Sequence, residues 1–281
     1  MTWSALSPEH LTQIADLAGR CTARDGGEQE AWGDLLGRRH GLDMISVGVF
    51  GEDRLLAAGC VRLVRQDPVI TGWVDPEHRG RGLGAELLDR LLELARGRGE
   101  RVSVEMESLT PDADALFASR GLRQSFAEDV MRLDLHALPA TAIPAGITVQ
   151  PWAEDTRHLF FQAYQRSFAD RPGFPGWSQQ QWIDWTVDDD FRPHCSLVAR
   201  RHDGDLLGFV TCAQGFLIQI GTLPARRGQG IGRMLALAAL ERLRAAGDTH
   251  VLLDINVNNP ASAALFSGLG FTPIARRARY E

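Results

Sequence analysis

A glycine-dense turn that occurs twice restricts this chain more than any other feature. The second copy is Leu223-Pro224-Ala225-Arg226-Arg227-Gly228-Gln229-Gly230-Ile231-Gly232. The first is Val74-Asp75-Pro76-Glu77-His78-Arg79-Gly80-Arg81-Gly82-Leu83-Gly84, 148 residues earlier, with Pro76, Arg79, Gly80, Gly82 and Gly84 matching Pro224, Arg227, Gly228, Gly230 and Gly232. Further on, Leu116-Phe117-x-x-x-Gly121-Leu122 matches Leu265-Phe266-x-x-x-Gly270-Phe271 at an offset of 149. Two motifs recurring in the same order indicate a duplicated domain. Each turn reads as a strand end followed by a helix start. Glycines at alternate positions let backbone approach a ligand closely. The helix that follows aims its unpaired N–H groups and positive dipole end at the same place. Such a turn suits a phosphate or pyrophosphate, and Arg79 or Arg227 adds a planar donor fork. One copy alone is equally compatible with a plain strand-to-helix turn.

The chain has 281 residues, 44% of them apolar, enough for two mid-sized cores. The reading is domain one over 1–138, a linker over 139–146 rich in Pro and small residues, and domain two over 147–281. A net charge of −6 argues against a nucleic-acid partner. All 30 basic residues are arginine, which excludes a lysine base or Schiff base. Cys21, Cys60, Cys195 and Cys212 are widely spaced and form neither a zinc pattern nor a disulfide framework, so no metal is expected. With no leader pattern and no long apolar run, the expected setting is the cytoplasm, without a membrane partner. Hydrophobic spacing predicts helices over Leu6–Ala18 and Ala31–His40 ahead of a hairpin, then strand, glycine turn and helix in each half. The fold class is α/β with mixed sheets.

On these motifs both halves resemble the GCN5-related N-acetyltransferases, and the tandem arrangement is similar to the mycothiol synthase group. The resemblance covers nearly the whole chain. It rests on Arg227-x-x-Gly230-x-Gly232, Asn259 and Leu265-Phe266-x-x-x-Gly270-Phe271. It implies two tandem domains, each a mixed, largely antiparallel sheet with splayed fourth and fifth strands and helices on both faces. It implies acetyl-CoA as donor, a small-molecule amine as acceptor, and a monomer or homodimer. By the same resemblance Ile220, Gly221, Thr222 and Leu223 line the pantetheine arm. Arg227, Gly228, Gln229, Gly230, Ile231, Gly232 and Arg233 wrap the pyrophosphate, and Asn259 and Phe266 border the arm. In the first half Trp73, Val74, Arg79, Gly80, Arg81, Gly82, Leu83 and Gly84 take the corresponding places. The second half is expected to be catalytic and the first degenerate, with Thr110 where Asn259 stands.

Asp254 occupies the position of a glutamate base in the ribosomal-protein acetyltransferases of this family, and Glu105 is its counterpart in the first half. An acid flanked by Leu253 and Ile255 is partly desolvated, which suits a base; a carboxylate paired with an arginine is the competing reading. The family's acidic tyrosine is Phe266 here and Phe117 in the first half, and neither holds a proton to give. Tyr280 on the last strand is the substitute acid, or else a structural tyrosine. The mycothiol synthase pattern places a glutamate where Phe216 stands, which puts that group's own acceptor in doubt. Ten of the 21 aromatics fall between Trp152 and Phe191. Phe174 and Trp177, in a Pro/Gly loop, are the candidate acceptor contacts. Arg276, Arg277 and Arg279 are open to two readings, contacts for an anionic group or an exposed strand edge blunted by charge. Two other classes stay open: a non-catalytic acyl-CoA-binding protein, and a dinucleotide oxidoreductase on the loose match Gly80-x-Gly82-x-x-Ala85, which the second copy breaks at Arg233.

Overall fold

The computed structural model describes residues 2–27, 45–64, 66–171 and 173–281. The helix expected over Ala31–His40 lies outside them. The described residues form two compact units. Unit 1 comprises residues 1–130, 256–258 and 273–281; unit 2 comprises 131–255 and 259–272. By this division residues 131–138 and the linker expected over 139–146 fall in unit 2, whereas residues 256–258 and the last nine residues, 273–281, fall in unit 1.

Unit 1 contains β1 (Trp3–Ala5), α1 (Leu11–Asp25), β2 (Ile45–Phe50), β3 (Leu55–Val64), β4 (Asp67–Val74), α2 (Leu83–Ala95), β5 (Ser103–Met106) and α3 (Pro111–Ser119). It also takes residues 124–130 of β6 (Gln124–Asp134) and all but the first residue of β12 (Thr272–Tyr280). Strands β1 to β4 are antiparallel neighbours, β5 runs parallel to β4, and β12 pairs antiparallel with β5. Helices cover both faces of β3, whose alternation is interrupted at Leu56, where the register with β2 shifts. Leu56, Ala57 and Val61 pack with Leu87 and Leu91 of α2, whereas Leu55 and Ala58 pack with Ile14, Leu17 and Cys21 of α1.

Unit 2 contains β7 (Ile147–Pro151), α4 (Arg157–Phe168), α5 (Gln179–Thr186), β8 (Leu197–Arg201), β9 (Leu206–Ala213), β10 (Phe216–Thr222), α6 (Ile231–Ala245), β11 (His250–Asn256) and α7 (Pro260–Ser267). Residue 256 of β11 is assigned to unit 1. Strands β7 to β10 are antiparallel and β11 is parallel to β10. One face packs Leu235, Ala239 and Leu243 of α6 against Leu197, Leu207 and Val251. The other is aromatic: Phe160, Tyr164 and Phe168 of α4 and Trp182 of α5 pack on Val198 and Phe209. Most rings of the aromatic-rich segment are therefore core. Each unit is a mixed, largely antiparallel sheet between helices.

The terminal strand explains its own placement. Ala278 and Tyr280 are each 1% exposed and join the core of unit 1, with the Tyr280 ring 4.8 Å from Phe117. On the opposite face Arg279 pairs with Glu105 at 2.7 Å and Arg277 with Glu107 at 2.7 Å. Arg276 pairs with Asp129 at 2.8 Å. The three arginines are thus ion-paired within unit 1, with the side chains of Arg276 and Arg279 about half exposed.

Candidate active site

The glycine turns have the same backbone in both units. Gly80 and Gly82 have φ of 72° and 84°; Gly228 and Gly230 have 73° and 79°. These are left-handed values that any side chain would strain, and a Cβ added at any of the four would meet nothing within 4 Å. Gly82 and Gly230 are the N-caps of α2 and α6. The third glycine of each turn faces inward. A Cβ on Gly84 would come 3.6 Å from Leu116, and one on Gly232 3.5 Å from Leu265. The two repeated motifs therefore touch in each unit. Open left-handed glycines before a long helix's N-terminus form a cradle of backbone donors that fits a diphosphate.

Beside each turn the parallel strands part. In unit 1, β4 pairs with β5 only at Val69↔Ser103 and Ile70↔Val104, and β4 continues to Val74. A cavity of about 390 Å³ lies there, lined among others by Trp73, Val74, Gly80, Gly82, Met106 and Glu107. In unit 2, β10 pairs with β11 at Phe216↔Leu252 and continues to Thr222. Its antiparallel register with β9 shifts between Leu217 and Gln219, an irregularity that β4 lacks. Gln219 accepts from Trp182 Nε1 at 3.0 Å. Gly221 is packed closely, since a Cβ there would lie 2.7 Å from Phe209 and 3.0 Å from Ser167 Oγ. At the matching position unit 1 carries Trp73, which packs on Ile14, Leu17 and Cys21.

The turn arginines have partners within their own units. Arg79 donates from both terminal nitrogens to Asp25 at 2.7 and 2.6 Å, and from Nε to the Val74 carbonyl at 3.1 Å. Its fork is filled by the end of α1. Arg227 donates to the Ser167 carbonyl at 3.0 Å, near the end of α4, with Asp170 3.7 Å away. Both arginines hold the first helix of their unit against the turn. The difference is charge: a bidentate carboxylate neutralises Arg79, and Arg227 has only a longer, exposed pair. Asp75, just ahead of the first turn, is fully buried. Burial pushes its carboxyl up, but the Glu77 N–H, His78 and Arg20 together hold it below its ordinary value.

The candidate chemical groups are dispersed. Asp254 is half-buried on β11 in unit 2, between the buried Leu253 and Ile255. Glu105, its counterpart, is bridged by Arg62 at 2.5 Å and Arg279 at 2.7 Å, so the ion-pair reading holds for it. Tyr280 falls in unit 1 while Asp254 falls in unit 2. The Tyr280 hydroxyl donates to Asp114 at 2.6 Å, and burial together with that carboxylate raises its pKa. Asn259 caps α7: its Oδ1 accepts from Ser262 N at 3.2 Å and its Nδ2 donates to Ser262 Oγ at 2.9 Å. Thr110 caps α3 in the same way through Ala113 N at 3.2 Å. The shared role is helix capping ahead of a proline at the first helical position. Phe266 is buried edge-on to Phe271 at 5.3 Å. Phe174 lies 5.4 Å from Tyr164, and Trp177 lies 5.4 Å from Trp185, which is half exposed. The Asp25 clamp and Ser167 carried no local signal in the sequence.

The fold and its paired turns define an acyl-CoA-dependent transferase class. The model of the acetyltransferase (GNAT) family matches residues 12–122 and again 153–271. The chain belongs to this family as a tandem member, and it is an acetyl-CoA-dependent N-acetyltransferase. It is similar to a mycothiol acetyltransferase of Frankia casuarinae, 30% identical over 79% of this chain and 70% of that one. A mycothiol acetyltransferase of Thermomonospora curvata is 30% identical over 98% of this chain and 95% of its own. Among solved structures, a GCN5-related N-acetyltransferase from Sphaerobacter thermophilus superposes with a TM-score of 0.80 at 23% identity, covering 99% and 94% of the two chains. Among the described residues no helix is long and apolar enough to cross a membrane.

Proposed function

We propose that unit 2 carries the turnover, transferring an acetyl group from acetyl-CoA to the primary amine of a small molecule. Unit 1 serves as a donor-binding or scaffolding copy. The observation that carries this reading is the strand end of unit 2. There β10 has left β11 and Gly221 stands where unit 1 has Trp73, two residues past the register shift with β9 between Leu217 and Gln219. Breaks in strand register concentrate beside active sites. The weaker neutralisation of Arg227 supports the same choice, since a diphosphate meets more positive potential there than beside the Asp25-paired Arg79.

Bound acetyl-CoA supplies the activated acyl group. The backbone of Ile220, Gly221, Thr222 and Leu223 holds its arm. Residues 227–233 hold its diphosphate through main-chain N–H groups, with Arg233 at the edge. A strand N–H facing the acyl oxygen stabilises the charge that develops on it. Asp254 takes the proton from the acceptor ammonium, so that the neutral amine attacks. Water returns a proton to the departing thiolate, because Phe266 has none to give and the Tyr280 hydroxyl is committed to Asp114. Phe174 and Trp177 border the acceptor.

Two of the relatives named above are mycothiol acetyltransferases. Phe216, where that group carries a glutamate, supports a different amine for this chain. Thiol release with a panel of primary amines tests the reading. Asp254→Asn is expected to lower kcat about a hundredfold, within the range typical of a general base, and to leave acetyl-CoA affinity intact. Equal rates for the variant and the parent would remove Asp254 as the base.

A further inference from the structure

Ser167 is the last residue but one of α4 and is 2% exposed, yet its hydroxyl has no hydrogen-bond partner among the described residues. A buried polar group left in that state is costly. In a helix a serine hydroxyl usually turns back to the carbonyl one turn earlier, and this one does not. It faces strand β10: a Cβ placed on Gly221 would sit 2.8 Å from Ser167 Cβ and 3.0 Å from its Oγ. The carbonyl of the same residue accepts from Arg227, which opens the glycine turn. Ser167 is therefore held at the turn by its backbone while its hydroxyl points at the strand end beyond the last β10–β11 pair. In unit 1 Trp73 stands at the position matching Gly221, and Cys21 of α1 donates from Sγ to the Val74 carbonyl at 3.3 Å.

We propose that Ser167 Oγ donates a hydrogen bond to a carbonyl oxygen of the acyl donor's arm, making it a donor-contacting residue of unit 2. This rests on the reading that the donor lies along residues 220–223. A hydroxyl left unmatched in the free protein and matched on binding adds affinity without a cost in the complex. It also places a side-chain donor on the face of β10 that looks toward α4, out of the plane in which the strand's own N–H groups lie.

The test uses the full chain carrying Gly82→Glu, which blocks the turn of unit 1 by bulk and like charge. On that background Ser167→Ala is expected to weaken acetyl-CoA binding about five- to tenfold by calorimetry. The ligand-free melting midpoint is expected to stay level or rise, since alanine favours the helix and no partner is lost. Unchanged affinity overturns the proposal. So does weakened affinity accompanied by a lower ligand-free midpoint, which would mark Ser167 as structural. Gly230→Glu on the same background separates the two layers of argument. If it abolishes binding while Ser167→Ala does not weaken it, only the Ser167 contact is wrong. If Gly230→Glu leaves binding intact, the donor site of unit 2 is misplaced and the Ser167 contact falls with it.

Discussion

At the scale of single residues, Thr211 Oγ1 on β9, opposite Gln219 and 0% exposed, is another buried hydroxyl of unit 2 with no partner among the described residues. Unlike Ser167, it stands in the middle of its strand, at 0% exposure, beside the buried Val210 and Cys212. Replacing it with an apolar side chain of the same shape removes a desolvated polar atom and leaves the packing intact. Thr211→Val is expected to stabilise the protein by about 1 kcal/mol, seen as a melting midpoint raised by roughly 2–4 °C, with acetyl-CoA affinity unchanged. A lowered midpoint would show that the hydroxyl is matched. Residue-level roles were the least legible in the sequence. The glycines were readable because only their backbone matters. Arg79 was not, because its partner Asp25 lies 54 residues away and nothing local marks it. Asn259 had a local signal that the family resemblance obscured, since an Asn followed by Pro ahead of Ala, Ser and Leu is itself a helix start.

At the scale of elements, the two turns share a backbone but are entered differently. Asp75 precedes the first and its counterpart Leu223 the second; Asp75 is fully buried and Leu223 is 4% exposed. Asp75 accepts from Arg20 at 2.8 Å and from Glu77 N at 3.0 Å, tying α1 and the short helical turn Pro76–His78 to the end of β4. Its carboxyl is held below the ordinary 3.8 in the folded state. The group thus contributes stability that is fully present above that ordinary value and is lost as pH falls through the folded-state value. Asp75→Asn is expected to lower the melting midpoint at pH 7. The gap from the parent should shrink as pH drops below 3.8, because the parent then loses the same charge. A gap that stays constant with pH would place the effect in packing. Element order was largely readable, since hydrophobic periodicity and paired glycine turns mark strand, turn and helix in both halves. What periodicity does not encode is which strand lies beside which. Arg277-Ala278-Arg279-Tyr280 announces a two-faced strand, and only the carboxylates of β5 and the ring of Phe117 decide where it pairs.

At the scale of the whole molecule, that strand makes the chain's last residues part of its first unit. Unit 1 requires Ala278 and Tyr280 in its core, the antiparallel pairing of β12 with β5, and the ion pairs from Arg276, Arg277 and Arg279. A cut in the linker therefore does not liberate an intact first unit: the fragment 1–138 lacks the strand that covers β5. Removing residues 273–281 is expected to expose β5 and to leave a cavity beside Phe117, at a cost of several kcal/mol from the lost tyrosine and ladder alone. The damage should be local. Amide exchange should quicken in β4, β5 and α3, whereas α6 and β9, which belong to unit 2, keep their protection. Adding a peptide of residues 272–281 to the truncated chain should restore protection at β5, because an exposed strand edge accepts a matching strand. Uniform loss of protection in both units would instead mean that the terminal strand supports the molecule as one cooperative body.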